Sequence, residues 1–176
     1  MTCVWNTAGA STHTSSTQWD SSWPAFVPEP QRSDVLGYFE RRFGIPLWLF
    51  TGYRLLERSK VYVLLRDSPH VEALAFLQVQ NVGLPVLRKI RHYLKPTTAA
   101  LQRFGAQATR HTIALTTSQM AQLLGEHRLQ YHIDWEPGYV ILLHQGQVVG
   151  CGVYTPGWLR SQIPLRLSTQ QHVDRP

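Results

Sequence analysis

Gly138-Tyr-Val-Ile-Leu-Leu-His144 and Gln147-Val-Val-Gly-Cys-Gly-Val-Tyr154, joined by Gln145-Gly146, form the stretch that decides the fold. Two apolar, β-branched runs split by a two-residue, glycine-containing link predict an antiparallel hairpin, because such links turn with the twist of the strands they join. Working outward, Thr155-Pro156-Gly157 predicts a further turn, and Trp158 to about Leu167 a last ordered segment. Gly150-Cys151-Gly152 lies inside a strand pattern with no helix after it, which predicts a bulge or a close backbone approach. On the other side, Thr117 caps a helix expected from about Ser118 to Leu124, with Gly125 at its end. Residues 116–167 therefore read as a small β-rich domain.

Residues 33–115 read differently, as an α/β half. Ser33-Asp34 supplies a cap and a first-turn acid, Leu36, Phe39 and Phe43 share a helix face, and Gly44 with Pro46 stops that helix. Lys60 to Arg66 alternates like a strand. A short helix is expected from Ser68-Pro69 to about Ala75, and a strand from Leu77 to Val82. Gly83 and Pro85 break the chain, which predicts a loop where the following basic cluster begins. Pro96-Thr97 opens a helix over Thr98–Phe104 that Gly105 ends, and Arg110 to Leu115 suits a strand. Residues 1–32, rich in Ser, Thr and Pro with Trp5, Trp19 and Trp23 scattered, read as a flexible tail, and 168–176 as a polar one. The expected fold class is α+β: an α/β half packed against a smaller β half, since no Gly/Ser linker separates them.

Composition narrows the function. Hydrophobic residues make up 43% and charged residues 16% of the 176, as expected of a folded chain. No run approaches eighteen apolar residues, so no membrane-spanning helix is expected. The opening residues lack the basic start and apolar core of a signal peptide, and the two cysteines, Cys3 and Cys151, make no disulfide framework. Both features lead us to expect a cytoplasmic protein with reduced thiols. The net charge is +6 and the pI about 9.7. No acidic residue lies between Glu72 and Glu126, while that stretch holds Arg88, Lys89, Arg91, Lys95, Arg103 and Arg110, with His92 and His111 among them. Such a region is either a solvated basic face or the footprint of a polyanion.

Signals of chemistry are weak. Neither phosphate-cradling glycine motif is present, so no cofactor is expected. His127 and His132 are five apart with no cysteine nearby, and no CxxC or HExxH occurs, so no metal site is expected. His144 in a half-buried strand and Cys151 between glycines read as packing residues. Asp134 and Glu136 form the only close acidic pair and could act as acid and base, but before Pro137-Gly138 they read more simply as loop residues. The expectation is a protein without catalytic residues.

Several motifs together resemble a known family. Residues 138–154 followed by Leu159-Arg-Ser-Gln-Ile-Pro164 look like the end of a PUA-like domain, where a GYV run is followed by an "LKS.(I/L)P" or "LKN.LP" signature. The segment is similar to the RNA-binding C-terminal tail of Sun/Fmu-type rRNA cytosine methyltransferases. Upstream, Phe43-Gly-Ile-Pro46, Phe50-x-Gly52-Tyr-x-Leu-Leu-Glu57, Val61-Tyr-Val63, Asn81-Val-Gly-Leu-Pro85 and Lys95-Pro-Thr-Thr98 resemble the pre-PUA half of ribosome-biogenesis factors. The resemblance covers roughly residues 37–165. Arg160 stands where the signature commonly has lysine, and the catalytic domain that often precedes such a tail is not among these residues.

The resemblance implies a pre-PUA half packed on a small PUA-like β barrel, and an RNA-binding accessory factor in rRNA or tRNA modification or ribosome biogenesis. Arg88, Lys89, Arg91, His92, Lys95, Arg103 and Arg110 are then the expected phosphate contacts. Trp158, Tyr154, Tyr93 and Tyr139 are candidates to stack on bases, and Arg160-Ser161 to touch RNA or brace the barrel. The alternative is a protein–protein adaptor docking on a ribosomal or RNA-modification partner. We expect a monomer in either case.

Overall fold

The computed structural model of the chain describes residues 24–71, 73 and 82–163. Their first sheet is an antiparallel meander. Strands β1 (Ala25–Phe26), β2 (Tyr53–Arg58), β3 (Val61–Arg66), β4 (Leu84–Ile90) and β5 (Tyr93–Pro96) lie side by side in chain order. Helix α1 (Gln31–Phe43) is inserted between β1 and β2, followed by a 3-10 turn over Leu47–Phe50. All described pairings within this first sheet are antiparallel, so none of its steps requires a crossover helix.

The second sheet curls into a half-barrel. It contains β6 (Thr112–Leu115), β7 (Arg128–Tyr131), β8 (Gly138–His144), β9 (Gln147–Thr155) and β10 (Gly157–Ser161), in the spatial order β6-β8-β9-β10-β7. Only β6 and β8 run parallel. The decisive hairpin is found as read, with Gln145 and Gly146 both at positive φ (50° and 76°), the pair of angles that a two-residue hairpin link requires. The glycines of β9 are close approaches: a Cβ on Gly150 would come within 2.8 Å of Ile163, and one on Gly152 within 3.2 Å of the Arg160 carbonyl. A register shift between Leu142 and Leu143 marks the bulge opposite them. Together these observations describe an α+β chain.

Helix α2 (Thr98–Phe104), capped by the Thr97 hydroxyl accepting from Ala100 N at 3.1 Å, lies against both β4 and β9 and so joins the sheets. Strand β8 explains why its sequence is continuously apolar. Val140 and Leu142 enter a core with Ile113, Leu123, Leu129, Tyr154 and Leu159, while Ile141 enters a second core with Leu36, Phe39, Phe43, Phe50, Leu55, Leu64, Val86 and Leu101. A strand covered on both faces has no polar side to alternate with. The second core reaches from α1 across both sheets, and no linker divides it.

Several boundaries differ from expectation. Helix α1 starts two residues before Ser33; Glu29 does the capping, its carboxylate accepting from Ser33 N (3.1 Å) and Ser33 Oγ (2.7 Å). Thr112–Leu115 belongs to the second sheet, so the sheets change before the expected boundary at 115/116. Helix α3 (Thr117–Glu126) is capped by Thr116 in a capping box with Gln119, and ends at His127, in left-handed backbone, not at Gly125. The basic cluster does not start in a loop: Leu84–Ile90 is a strand. Around 68–75, Val71 N donates to Ser68 O and Ala73 N to His70 O, a helical turn. The rest of that expected helix, most of the expected strand over 77–82, the tail before residue 24 and the chain after 163 lie outside the described residues. Among those described, no helix is long and apolar enough to cross a membrane.

Candidate nucleic-acid interface

Cross-strand register gathers cations that the sequence keeps apart. Arg58 pairs with Val61, Val61 with Arg88, and Arg88 with Lys95. Directly opposed residues share a sheet face, so Arg58, Arg88 and Lys95 stand in one row across β2, β4 and β5. At about 4.8 Å per strand that row is about 14 Å long. Arg58 and Arg88 are exposed. Lys95 is half-buried, and its Nζ donates to Gln162 Oε1 at 2.6 Å. Gln162 follows Ser161, so the expected contacts near 160 and those near 88–95 meet where β10 ends. Pro85, Arg88, Lys95, Thr97, Thr98 and Gln162 are among the walls of a groove of about 420 Å³ there. One row further, Ile90 pairs with Tyr93 on the same face, 44% and 71% exposed.

Lys89 does not belong to this face. Strand alternation turns it to the other side, where its ammonium pairs with Glu57 and lies 4.6 Å from the centre of the Tyr62 ring. The Glu57 hydrogen bond, followed by that to Tyr62, holds the Lys89 pKa above its ordinary value. Its expected phosphate contact is thus replaced by a bond within the fold. Arg91 and His92 form the β4–β5 turn, exposed, with Arg91 at φ 54°.

The remaining expected residues lie elsewhere. Arg103 is in the last turn of α2, its guanidinium 6.0 Å from the Phe104 ring. Arg110 lies at the C-terminal end of α1, where a Cβ on Gly44 would be 3.3 Å from its Nε. Trp158, 38% exposed, has the Arg128 guanidinium 5.2 Å over its ring, and Arg160 is exposed on the same strand. Ser161 Oγ accepts from Ile163 N at 3.1 Å. Tyr154 cannot stack on a base from where it stands: it is 2% exposed and its hydroxyl donates to the Ile133 carbonyl at 2.5 Å. Tyr139 is half-buried beside Arg42, and Tyr93 is the most exposed tyrosine of the four.

Arg58 was not among the sequence candidates. It lies thirty residues before Arg88, and no local spacing connects them; only the β2–β3–β4 register does. Arg42 was missed as well. Its Nε donates to Tyr139 O at 2.8 Å and Nη2 to Glu136 O at 3.3 Å, tying α1 to the start of β8.

The packing residues read from sequence behave as such. Burial pushes the Cys151 thiol up to about 12, so a thiolate nucleophile is disfavoured there. His144 Nδ1 donates to Leu115 O at 3.2 Å across the parallel pair β6–β8. Among the described residues no cluster of three His, Cys, Asp or Glu could hold a metal ion.

His111 carries a pH dependence. Its Nδ1 donates to Arg42 O at 2.5 Å, and its ring packs edge-on against Trp135 at 5.1 Å. Burial lowers its pKa below the ordinary 6.5, with Arg42 and Arg110 adding to the effect and the hydrogen bond to Arg42 O opposing it. The unfolded chain therefore binds this proton more readily than the folded one, so folding stability is full above pH 6.5 and falls as the pH drops below it. Urea unfolding at pH 7.5 and pH 5 should give a lower midpoint at pH 5, and His111→Gln should shrink that difference; an unchanged difference would assign it to other groups.

The described residues define a helix-bridged pair of sheets with a cationic row on the outer face of the first. No protein-family model matches the sequence, and no curated protein matches it.

Proposed function

We propose that this chain is a non-catalytic RNA-binding protein, an accessory factor in rRNA or tRNA modification or ribosome biogenesis, in which a pre-PUA-like half packs on a PUA-like β module. The observation that carries this reading is the row of Arg58, Arg88 and Lys95 on one sheet face, flanked by exposed Ile90 and Tyr93. A line of cations neutralises backbone phosphates and releases their counterions, and a neighbouring flat side chain stacks on a base. The half-barrel of β6–β10 with α3, and the Gly150 and Gly152 close approaches next to Arg160-Ser161, support the PUA-like assignment.

Fluorescence anisotropy of a structured RNA across a salt series tests the reading. With Arg58, Arg88, Arg91 and Lys95 each meeting a phosphate, log affinity should fall against log salt with a slope of roughly −3 to −4. No binding at low salt by folded protein would overturn it. A second reading, a protein adaptor, is favoured by Trp48, 68% exposed on the 3-10 turn. It predicts partner capture that survives charge reversal in the row and is lost with Trp48→Ala.

A further inference from the structure

A cleft of about 720 Å³ opens beside the cationic row, within the range of about 300–1,000 Å³ usual for small-ligand sites. It has three walls. Tyr38 and Arg42, four residues apart, present one face of α1. Tyr139 and Val153, a directly opposed pair on β8 and β9, form the second. His92, Tyr93 and Leu94 from the β4–β5 hairpin tip form the third. Arg42 is held in place by the Tyr139 and Glu136 carbonyls, and Gly138 leaves room for it: a Cβ there would come within 2.8 Å of the guanidinium. Tyr38 is fixed by edge-on contacts with Phe39 and Phe43, both at 5.8 Å. Tyr38 and Arg42 are thus held by contacts within the fold, while Tyr93 is 71% exposed on the third wall.

We propose that this cleft receives a single unpaired nucleobase of the bound RNA, with Tyr93 stacking on its open face. The inference rests on the RNA-binding reading. Three tyrosines from three elements supply flat surfaces, Arg42 supplies positive charge, and Arg42 and His92 supply hydrogen-bond donors. These groups suit an electron-rich heteroaromatic ring attached to a phosphate. Tyr93 also lies on the face of the row, paired with Ile90 next to Arg88–Lys95, so a strand lying along the cations has a short path into the cleft. A paired base cannot enter without leaving its duplex. The cleft therefore selects single-stranded or bulged RNA, whereas the row alone accepts any RNA backbone.

The test uses the full chain, a single-stranded oligoribonucleotide carrying 2-aminopurine, and a duplex of equal length. Binding of the single strand should quench 2-aminopurine emission. Tyr93→Ala should abolish the quench and weaken single-strand binding about 10-fold more than it weakens duplex binding. Tyr93→Phe should keep the quench, since the ring is retained. Binding without quenching, or equal weakening of both RNAs by Tyr93→Ala, would overturn the base site and leave the RNA-binding reading standing. Failure of the wild type to bind either RNA would overturn both.

Discussion

Reversing Arg58 and Arg88 together to glutamate is expected to weaken binding of structured RNA about 100-fold at about 0.1 M salt. Each phosphate contact contributes a slope of about −0.9, which is nearly one decade of affinity between about 1 M and 0.1 M salt. Two lost contacts account for almost two decades, and repulsion of the introduced carboxylates adds to that. The salt slope itself should flatten by about two. Both side chains are exposed and stand on a sheet face away from the Phe39 core, so the fold should be untouched, which circular dichroism and the unfolding midpoint will check. Lys89→Glu is the internal control. It carries the same change of charge one residue from Arg88, but on the opposite face against Glu57 and Tyr62. It should cost stability through like-charge contact with Glu57, and change RNA affinity far less than the double variant. Equal losses of affinity from Lys89→Glu and Arg88→Glu would mean that RNA responds to net charge and not to the row.

The second large effect is on stability. Phe39→Ala should cost about 3–5 kcal/mol, because truncation of a buried phenylalanine forfeits its transfer energy and leaves a cavity. Phe39 is fully buried, with its ring centre 5.4 Å from Phe50, 6.4 Å from Phe43 and 5.8 Å from Tyr38. This core is shared by α1 and both sheets, so local collapse cannot close the gap without moving an element. For a chain of this size that cost lowers the Tm by roughly 6–20 °C. Scanning calorimetry beside the wild type measures it. A drop of under about 1 °C would mean that α1 contributes little to joining the sheets.

Legibility varied with the local signal. The β8–β9 hairpin could be read because Gln145-Gly146 is a turn of the expected kind between apolar runs. The hairpins β2–β3 and β4–β5 could not. Their turns, Ser59-Lys60 and Arg91-His92, place Ser59 and Arg91 at positive φ, where Gly, Asn or Asp is the usual signal. Pro85 concealed β4 further, since a proline inside a strand argues against one. It is accommodated here because it sits at a register shift between β3 and β4, where the ladder is already interrupted.

By itself the sequence determined the mixed α+β character, the decisive hairpin, helices α1, α2 and α3 to within a few residues and the basic region without acids. Each of these depends on residues close in the chain: turn chemistry, capping, helical spacing and local charge. Only the tertiary structure decided which cations stand together. Register turned Lys89 inward to Glu57, added Arg58 to the row with Arg88 and Lys95, and left Arg103 and Arg110 outside it. It also buried Tyr154 and brought Tyr38, Tyr93 and Tyr139 to one cleft. The physical reason is the two-residue period of a strand, which sends neighbours in sequence to opposite faces and sets residues from distant strands side by side.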